Sequence, residues 1–240
     1  MRGDRRTTEQ AKGSKLSVPA ITPTEELDLG GTDPIASGTY RDVFIYPGRP
    51  EAVVKVLKPG AAVRPNRPIR NFLKTRTKRQ LYRFMFREYE SYLEAKLALI
   101  TKPGTMPIAE LFWLQETSRG LGMVAERVRG KGDMPAKTLG DLRRQNNVDG
   151  RIIGALNNFL HRLNQLDIVA NDTNPENLLL DETQEAPRFV LVDGFGDPSP
   201  VPLKRFSHKL RQSARDRRGQ TIGAFLGCNW DGEARQLRPA

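Results

Sequence analysis

A lysine in the middle of an apolar run, Val53-Val54-Lys55-Val56-Leu57, is costly to bury unless an opposite charge meets it. Further along, Asp172 precedes Asn177 by five positions in Asn171-Asp172-Thr173-Asn174-Pro175-Glu176-Asn177. That spacing suits a carboxylate acting as base on a hydroxyl and an amide oxygen binding Mg²⁺. The plainer reading is an Asx turn around Pro175. A third element, Phe189-Val190-Leu191-Val192-Asp193-Gly194-Phe195-Gly196, is an apolar strand ending in an acid and then glycines. Magnesium takes one or two protein carboxylates together with phosphate oxygens. Finally, Ala36-Ser37-Gly38 opens a turn between two strand-like stretches, where a glycine lets backbone amides approach a phosphate. Taken in order, the four suit phosphoryl transfer.

These residues need elements to hold them. Residues 34–46 read as strand, glycine turn, strand, and 52–57 as a buried strand, the start of an antiparallel hairpin. Residues 58–72 carry Pro59, Gly60, Pro65 and Pro68 and read as loop, and a helix is predicted over 77–99. Its stripe of Leu81, Met85, Glu88 and Tyr92 points Glu88 inward, so a Lys55–Glu88 ion pair is expected. Strands follow at Ala109–Glu116 and Leu121–Val128, then helices at Thr138–Arg144 and Ile152–Leu166. Short strands at Leu178–Leu180 and Arg188–Val192 follow the 171–177 loop; Asn177 and Asp193 stand at the ends of these apolar segments and are expected to converge. A basic helix covers about 201–226. The fold class expected is α+β, with residues 29–129 as a β-rich lobe and 130–226 as a helical one. Residues 1–28 are expected to be disordered and 227–240 to be a flexible tail.

Composition narrows the rest. The single cysteine, Cys228, allows no internal disulfide, and two histidines make a multi-histidine metal site a poor expectation. No apolar run approaches the roughly 20 residues of a membrane span, and the N-terminus lacks the apolar core of a secretory signal; a cytoplasmic protein is expected. The net charge is +11. Eleven Lys or Arg and no acid lie between Lys55 and Arg87, and seven cations with one acid between Lys204 and Arg218. Such runs are either solvated surface or a continuous positive face for an anionic acceptor, an anionic membrane or an acidic partner. No aromatic-interleaved or zinc-finger signature supports nucleic acid as the partner.

The order of glycine turn, strand lysine, helical glutamate, polar loop and strand-ending aspartate resembles the protein-kinase-like superfamily. More narrowly, residues 34–226 resemble the YrbL family of the PhoP regulatory network. The matching pieces are Ala36-Ser37-Gly38-Thr39-Tyr40-Arg41, Arg87-Glu88, Asn174-Pro175-Glu176-Asn177-Leu178-Leu179 and Val192-Asp193-Gly194-Phe195-Gly196. The resemblance implies a bilobal kinase-like fold with a truncated helical lobe, and ATP and Mg²⁺ as cofactors. It makes Lys55 the holder of the α/β-phosphates, Glu88 its orienter, Asp172 the base, and Asn177 and Asp193 the metal ligands. Backbone groups of Glu126, Arg127 and Val128 would meet adenine. Departures are Ala36 for a glycine, Ala170-Asn171 before the base, and Asn174 where a lysine is usual. Only 43 residues follow Asp197, too few for a standard peptide-binding lobe. Two functions follow: an ATP-dependent phosphotransferase acting on an unknown hydroxyl acceptor, or a regulatory protein of the same fold without turnover.

Overall fold

The structure is a computed structural model that describes residues 26–58, 78–170, 172–196 and 208–239. The expected disordered segment, apart from residues 26–28, and the 58–72 loop, apart from Lys58, lie outside those residues. In chain order the elements are β1 (Ala36–Ser37), β2 (Arg41–Tyr46), β3 (Arg49–Leu57), α1 (Lys78–Thr101), β4 (Leu111–Thr117), β5 (Gly120–Glu126), α2 (Leu139–Arg144), α3 (Gly150–Gln165), β6 (Leu178–Asp181), β7 (Arg188–Leu191), α4 (His208–Leu226), β8 (Cys228–Asp231) and β9 (Gln236–Pro239). Among the described residues the class is α+β: four helices, a five-stranded antiparallel sheet ordered β1-β2-β3-β5-β4, and two two-stranded sheets, β6-β7 and β8-β9.

β3 is buried along most of its length because both faces of the sheet are covered. Ala52, Val54 and Val56 pack with Phe44, Tyr46 and Val124 under Leu29. The segment bearing Leu29 is strapped to the sheet edge, with Leu27 N–H donating to Glu116 O at 2.8 Å and Leu29 N–H to the Ser118 hydroxyl at 2.9 Å. On the opposite face Val53 joins the main core with Met85, Met123 and Ala125. Side chains alternate along a strand and cross-strand partners share a face. The pairings Arg41↔Leu57, Val43↔Lys55 and Lys55↔Met123 therefore put Arg41 and Lys55 on the inner face. Helix α1 covers that face with Met85, Glu88, Tyr92 and Ala95, all buried, at the i, i+3, i+7 spacing expected of one side of a helix.

The helical part is built on α3, whose Ile152, Leu156, Phe159, Leu160 and Leu163 are buried. Asp149 caps it, accepting from Ile152 N–H at 2.9 Å. Segment 106–109 runs beside β7, with Ala109 N–H donating to Leu191 O at 3.1 Å and Leu191 N–H to Pro107 O at 2.9 Å. Ala109, Val128 and Val190 form a small cluster there. Val128, expected in a strand, lies just past the end of β5. No helix among the described residues is long and apolar enough to cross a membrane.

One expectation is corrected. A flexible tail is expected over residues 227–240, yet β8 and β9 pair from Cys228↔Pro239 to Asp231↔Gln236. The reason is a buried anchor. Leu237 is 2% exposed, and Asn157 on α3 holds its backbone on both sides, donating to Leu237 O at 3.1 Å and accepting from Leu237 N–H at 2.7 Å.

Arg162 closes the end of α1. Its guanidinium donates to the carbonyls of Lys102 (3.1 Å), Pro103 (3.3 Å) and Thr105 (3.0 Å), and to the Gln165 side chain. Arg162→Met keeps the stem but orphans those carbonyls. It is expected to lower unfolding free energy by about 3 kcal/mol, measured by urea denaturation.

Candidate functional site

Burying a carboxylate on the inner face of α1 requires a cation, and the sheet supplies two. Glu88, 5% exposed, is gripped by Arg41, whose two terminal nitrogens donate to Oε2 at 2.6 Å and Oε1 at 2.8 Å. The same guanidinium donates to Asp193 Oδ1. Lys55, also 5% exposed, donates to the Val192 carbonyl, one residue before Asp193. The four charged groups form one cluster, but the pairing differs from the Lys55–Glu88 contact expected: Arg41 takes Glu88. A fork of donors satisfies both carboxylate oxygens at once, which a single ammonium does less well.

The electrostatics follow. Burial pushes Arg41 down, but Glu88 and then Asp193 outweigh it and hold it above its ordinary value. Lys55 is lowered by burial and then by the neighbouring Arg41, against the pull of Asp193 and Glu88. Burial pushes Glu88 up while Arg41 draws it back. Burial likewise acts to raise Asp193, but Arg41 and then Lys55 hold it below the usual carboxylate range.

Asp193 reaches the cluster because the chain after β7 threads between α1 and the 172–177 loop. Gly194, at φ +79, leaves no room for a side chain: a Cβ would stand 2.6 Å from Asp172 Cβ. Gly196, at φ +94, passes so close to α1 that a Cβ would lie 2.9 Å from the Arg87 carbonyl oxygen. Both positive φ values favour glycine. Backbone bonds lock the crossing, with Asp172 N–H donating to Gly194 O at 3.1 Å and Gly196 N–H to Val169 O at 2.9 Å. Asp172 is thus placed beside Gly194. Its Oδ1 accepts from Asn174 N–H at 3.1 Å, the Asx-type turn weighed above. Asn171 lies outside the described residues.

Asn177 ends a short 3₁₀ turn, Pro175–Asn177. Leu178 pairs with Leu191, and Val192 N–H donates to Asn177 O at 3.0 Å. That bond brings the backbones of Asn177 and Asp193 to the same end of the β6-β7 hairpin. Among the described residues no three of His, Cys, Asp and Glu cluster as a metal cage. One carboxylate and one amide nonetheless fit Mg²⁺ as donors when phosphate oxygens complete the set. Glu176 faces away from the cluster: its carboxylate accepts from Thr138 Oγ1 at 2.9 Å and from Arg144 at 2.7 Å, tying the loop to the capped start of α2.

The glycine turn sits at the sheet edge. Gly38 N–H donates to Arg41 O at 2.9 Å, and Ser37 Oγ donates to Asp42 Oδ1 while accepting from Lys58 Nζ, both at 2.7 Å. Ala36, Ser37 and Gly38 are exposed. A Cβ on Gly38 would meet only Arg41 O, at an ordinary 3.7 Å, so internal packing does not demand the glycine. Beyond β5, Glu126 N–H donates to Glu110 O and Arg127 N–H to Glu51 O. The Glu126 carboxylate accepts from Arg188 at 3.1 Å, and Arg188 also donates to Asp181 at 2.8 Å and Met106 O at 2.9 Å.

Two of the cations assigned to a basic face turn inward instead. Arg215 donates to Asn164 O at 3.0 Å and to Asp167 at 2.8 Å, and Arg218 to Ala170 O at 3.0 Å. Burial, then the neighbouring Arg215, lowers Arg218 to about 10. These residues seat α4 on the strand-like 168–170 segment that pairs with Phe195. The cations of 59–77 and 204–207 lie outside the described residues. Arg41 and Arg188 were missed by sequence reasoning. Arg41 lies in the turn motif Ala36-Ser37-Gly38-Thr39-Tyr40-Arg41, and only the β2-β3 register reveals that it points inward.

Gly194→Ala is expected to cost about 2–4 kcal/mol, from a strained φ and a collision with Asp172, read by chemical denaturation. A pH dependence follows from Asp181. Burial would raise its carboxyl, but Thr183 and Arg188 hold it below the usual range. A depressed carboxyl stabilises the fold above its unfolded value, about 3.9, and that contribution is lost as pH falls through the lower folded value. Asp181→Asn should therefore flatten the loss of thermal stability below about pH 4.

No curated protein matches the chain. A family model, described as PhoP regulatory network protein YrbL, matches residues 27–225. That match spans most of the sequence and every residue of the charged cluster and of the 172–177 loop, so the chain belongs to the YrbL family of PhoP regulatory network proteins.

Proposed function

We propose that this chain is a protein-kinase-like phosphotransferase that binds ATP between the five-stranded sheet and the helical part. The observation that carries the reading is the single cluster of Lys55, Glu88 and Asp193, with Asp172 bonded through its backbone to the residue after Asp193. In this reading Lys55 meets the α/β-phosphates, Glu88 keeps the inner face charge-balanced, and the exposed turn of Ala36, Ser37 and Gly38 covers the phosphates. Glu126 and Val128 offer backbone groups to adenine. Asp193 and Asn177 would hold Mg²⁺, which when bound neutralises charge on the phosphate oxygens. Asp172 would accept the proton of the acceptor hydroxyl as its oxygen bonds to the γ-phosphorus. The bond from that phosphorus to the β-phosphate oxygen breaks, and ADP leaves. The acceptor is a hydroxyl compound, and the basic composition favours an anionic one.

A second reading, a regulatory protein of the same fold without turnover, is favoured by a specific contact. Arg41 occupies both Glu88 and Asp193, and membership of a regulatory-network family agrees with it.

One comparison separates the two. Calorimetry with ATP and Mg²⁺ is expected to show binding that Lys55→Met weakens by about 10- to 100-fold, the scale of a charge-assisted hydrogen bond. Asp172→Asn should keep binding but lower ATP turnover about 10²- to 10⁴-fold. Wild-type binding without turnover, in the presence of cell extract as an acceptor source, supports the regulatory reading. No ATP binding at all rejects the phosphotransferase and leaves the regulatory reading.

A further inference from the structure

Arg41 is the only cation of the cluster that touches two carboxylates, and it comes from the strand that follows the glycine turn. Three of its five N–H donors are committed to Glu88 and Asp193. Glu88 is buried and cannot stand uncompensated, whereas the Asp193 side chain is 39% exposed and could be solvated or bound to something else. The guanidinium therefore does two jobs of unequal necessity. Toward Glu88 it neutralises a buried charge. Toward Asp193 it supplies positive charge at the more exposed side of the cluster. Lys55 stands close enough to interact with both carboxylates, so Glu88 has a second cation at hand if Arg41 leaves.

We propose that Arg41 is an internal counter-ion that competes with a divalent cation for Asp193. The bond to Asp193 breaks when the metal–nucleotide binds, and the inner face is rebalanced by Lys55. This rests on the ATP reading above for the identity of the nucleotide. The competition itself is a property of the chain and can be read with metal alone. On this view Arg41 sets how much divalent cation the site needs: a protein with Arg41 in place binds free metal weakly and takes it together with a polyphosphate.

The test is manganese titration without nucleotide, followed by electron paramagnetic resonance, on wild type and Arg41→Met/Glu88→Met. Replacing both members of a buried ion pair by apolar residues of similar length tends to preserve folding, which a thermal melt checks. The double variant is expected to bind manganese about tenfold or more tightly than wild type, the scale of one lost charge-assisted bond, and adding Asp193→Asn should abolish the gain. Arg41→Lys serves as a second variant should the double substitution fail to fold. A single ammonium cannot fork across both carboxylates, so a smaller gain in the same direction is expected. Equal manganese affinity in wild type and the folded variants, or a gain that survives Asp193→Asn, overturns the proposal. ATP binding measured on the same samples keeps the two ideas apart. A manganese gain with no ATP binding leaves Arg41 as counter-ion and removes the nucleotide, whereas ATP binding with no manganese gain does the reverse.

Discussion

One buried carboxylate organises this molecule. Glu88 sits on a helix face otherwise made of Met85, Tyr92 and Ala95, where an unpaired charge would be prohibitive. Satisfying it recruits Arg41 from β2, and Arg41 in turn brings in Asp193 from the chain after β7. Helix, sheet and helical part are thereby joined at a single point by charge, in addition to the apolar core that runs through all three. Such ionic junctions rarely add much net stability over apolar packing. Their value lies in geometry, because a bidentate pair admits few arrangements.

The backbone crossing at residues 193–196 is the second organising element, and it works by exclusion. Two glycines let the chain pass between the carbonyl face of α1 and the loop bearing Asp172. Hydrogen bonds from Asp172 N–H to Gly194 O and from Gly196 N–H to Val169 O then fix its height. Helix α4 supports the same layer from outside through Arg218 and the Ala170 carbonyl. A helix read from sequence as a positively charged surface is thus partly a buttress.

Much of this was legible from local pattern. The continuous apolar run around Lys55 marked it as a lysine in need of a partner, and helical periodicity turned Glu88 inward; both depend only on neighbours in sequence. The β6-β7 hairpin and its flanking Asn177 and Asp193 were equally visible, as apolar runs beside polar turns. What escaped depended on partners far along the chain. Arg41 looks like any arginine near a turn until the β2-β3 register assigns its face, and its two partners are 47 and 152 residues away. The β8-β9 hairpin escaped for the same reason. Its strands are only four residues each, too short for their pattern to stand out, and the anchor that orders it, Asn157, lies 80 residues earlier.

The close approach of Gly196 to α1 has a mechanical consequence. The would-be Cβ position faces the carbonyl oxygen of Arg87, the residue before Glu88, so helix and crossing are already in contact. A shift of α1 toward the crossing by even one residue's rise, about 1.5 Å, would drive peptide groups into each other. Among the described residues the outer face of α1, with Phe86, Leu93 and Leu97, is exposed, so movement the other way is resisted by polar bonds and apolar packing. The helix thus has a hard stop on one side and a soft restraint on the other. Any displacement large enough to matter is outward, and it separates Glu88 and Asp193 in the same stroke.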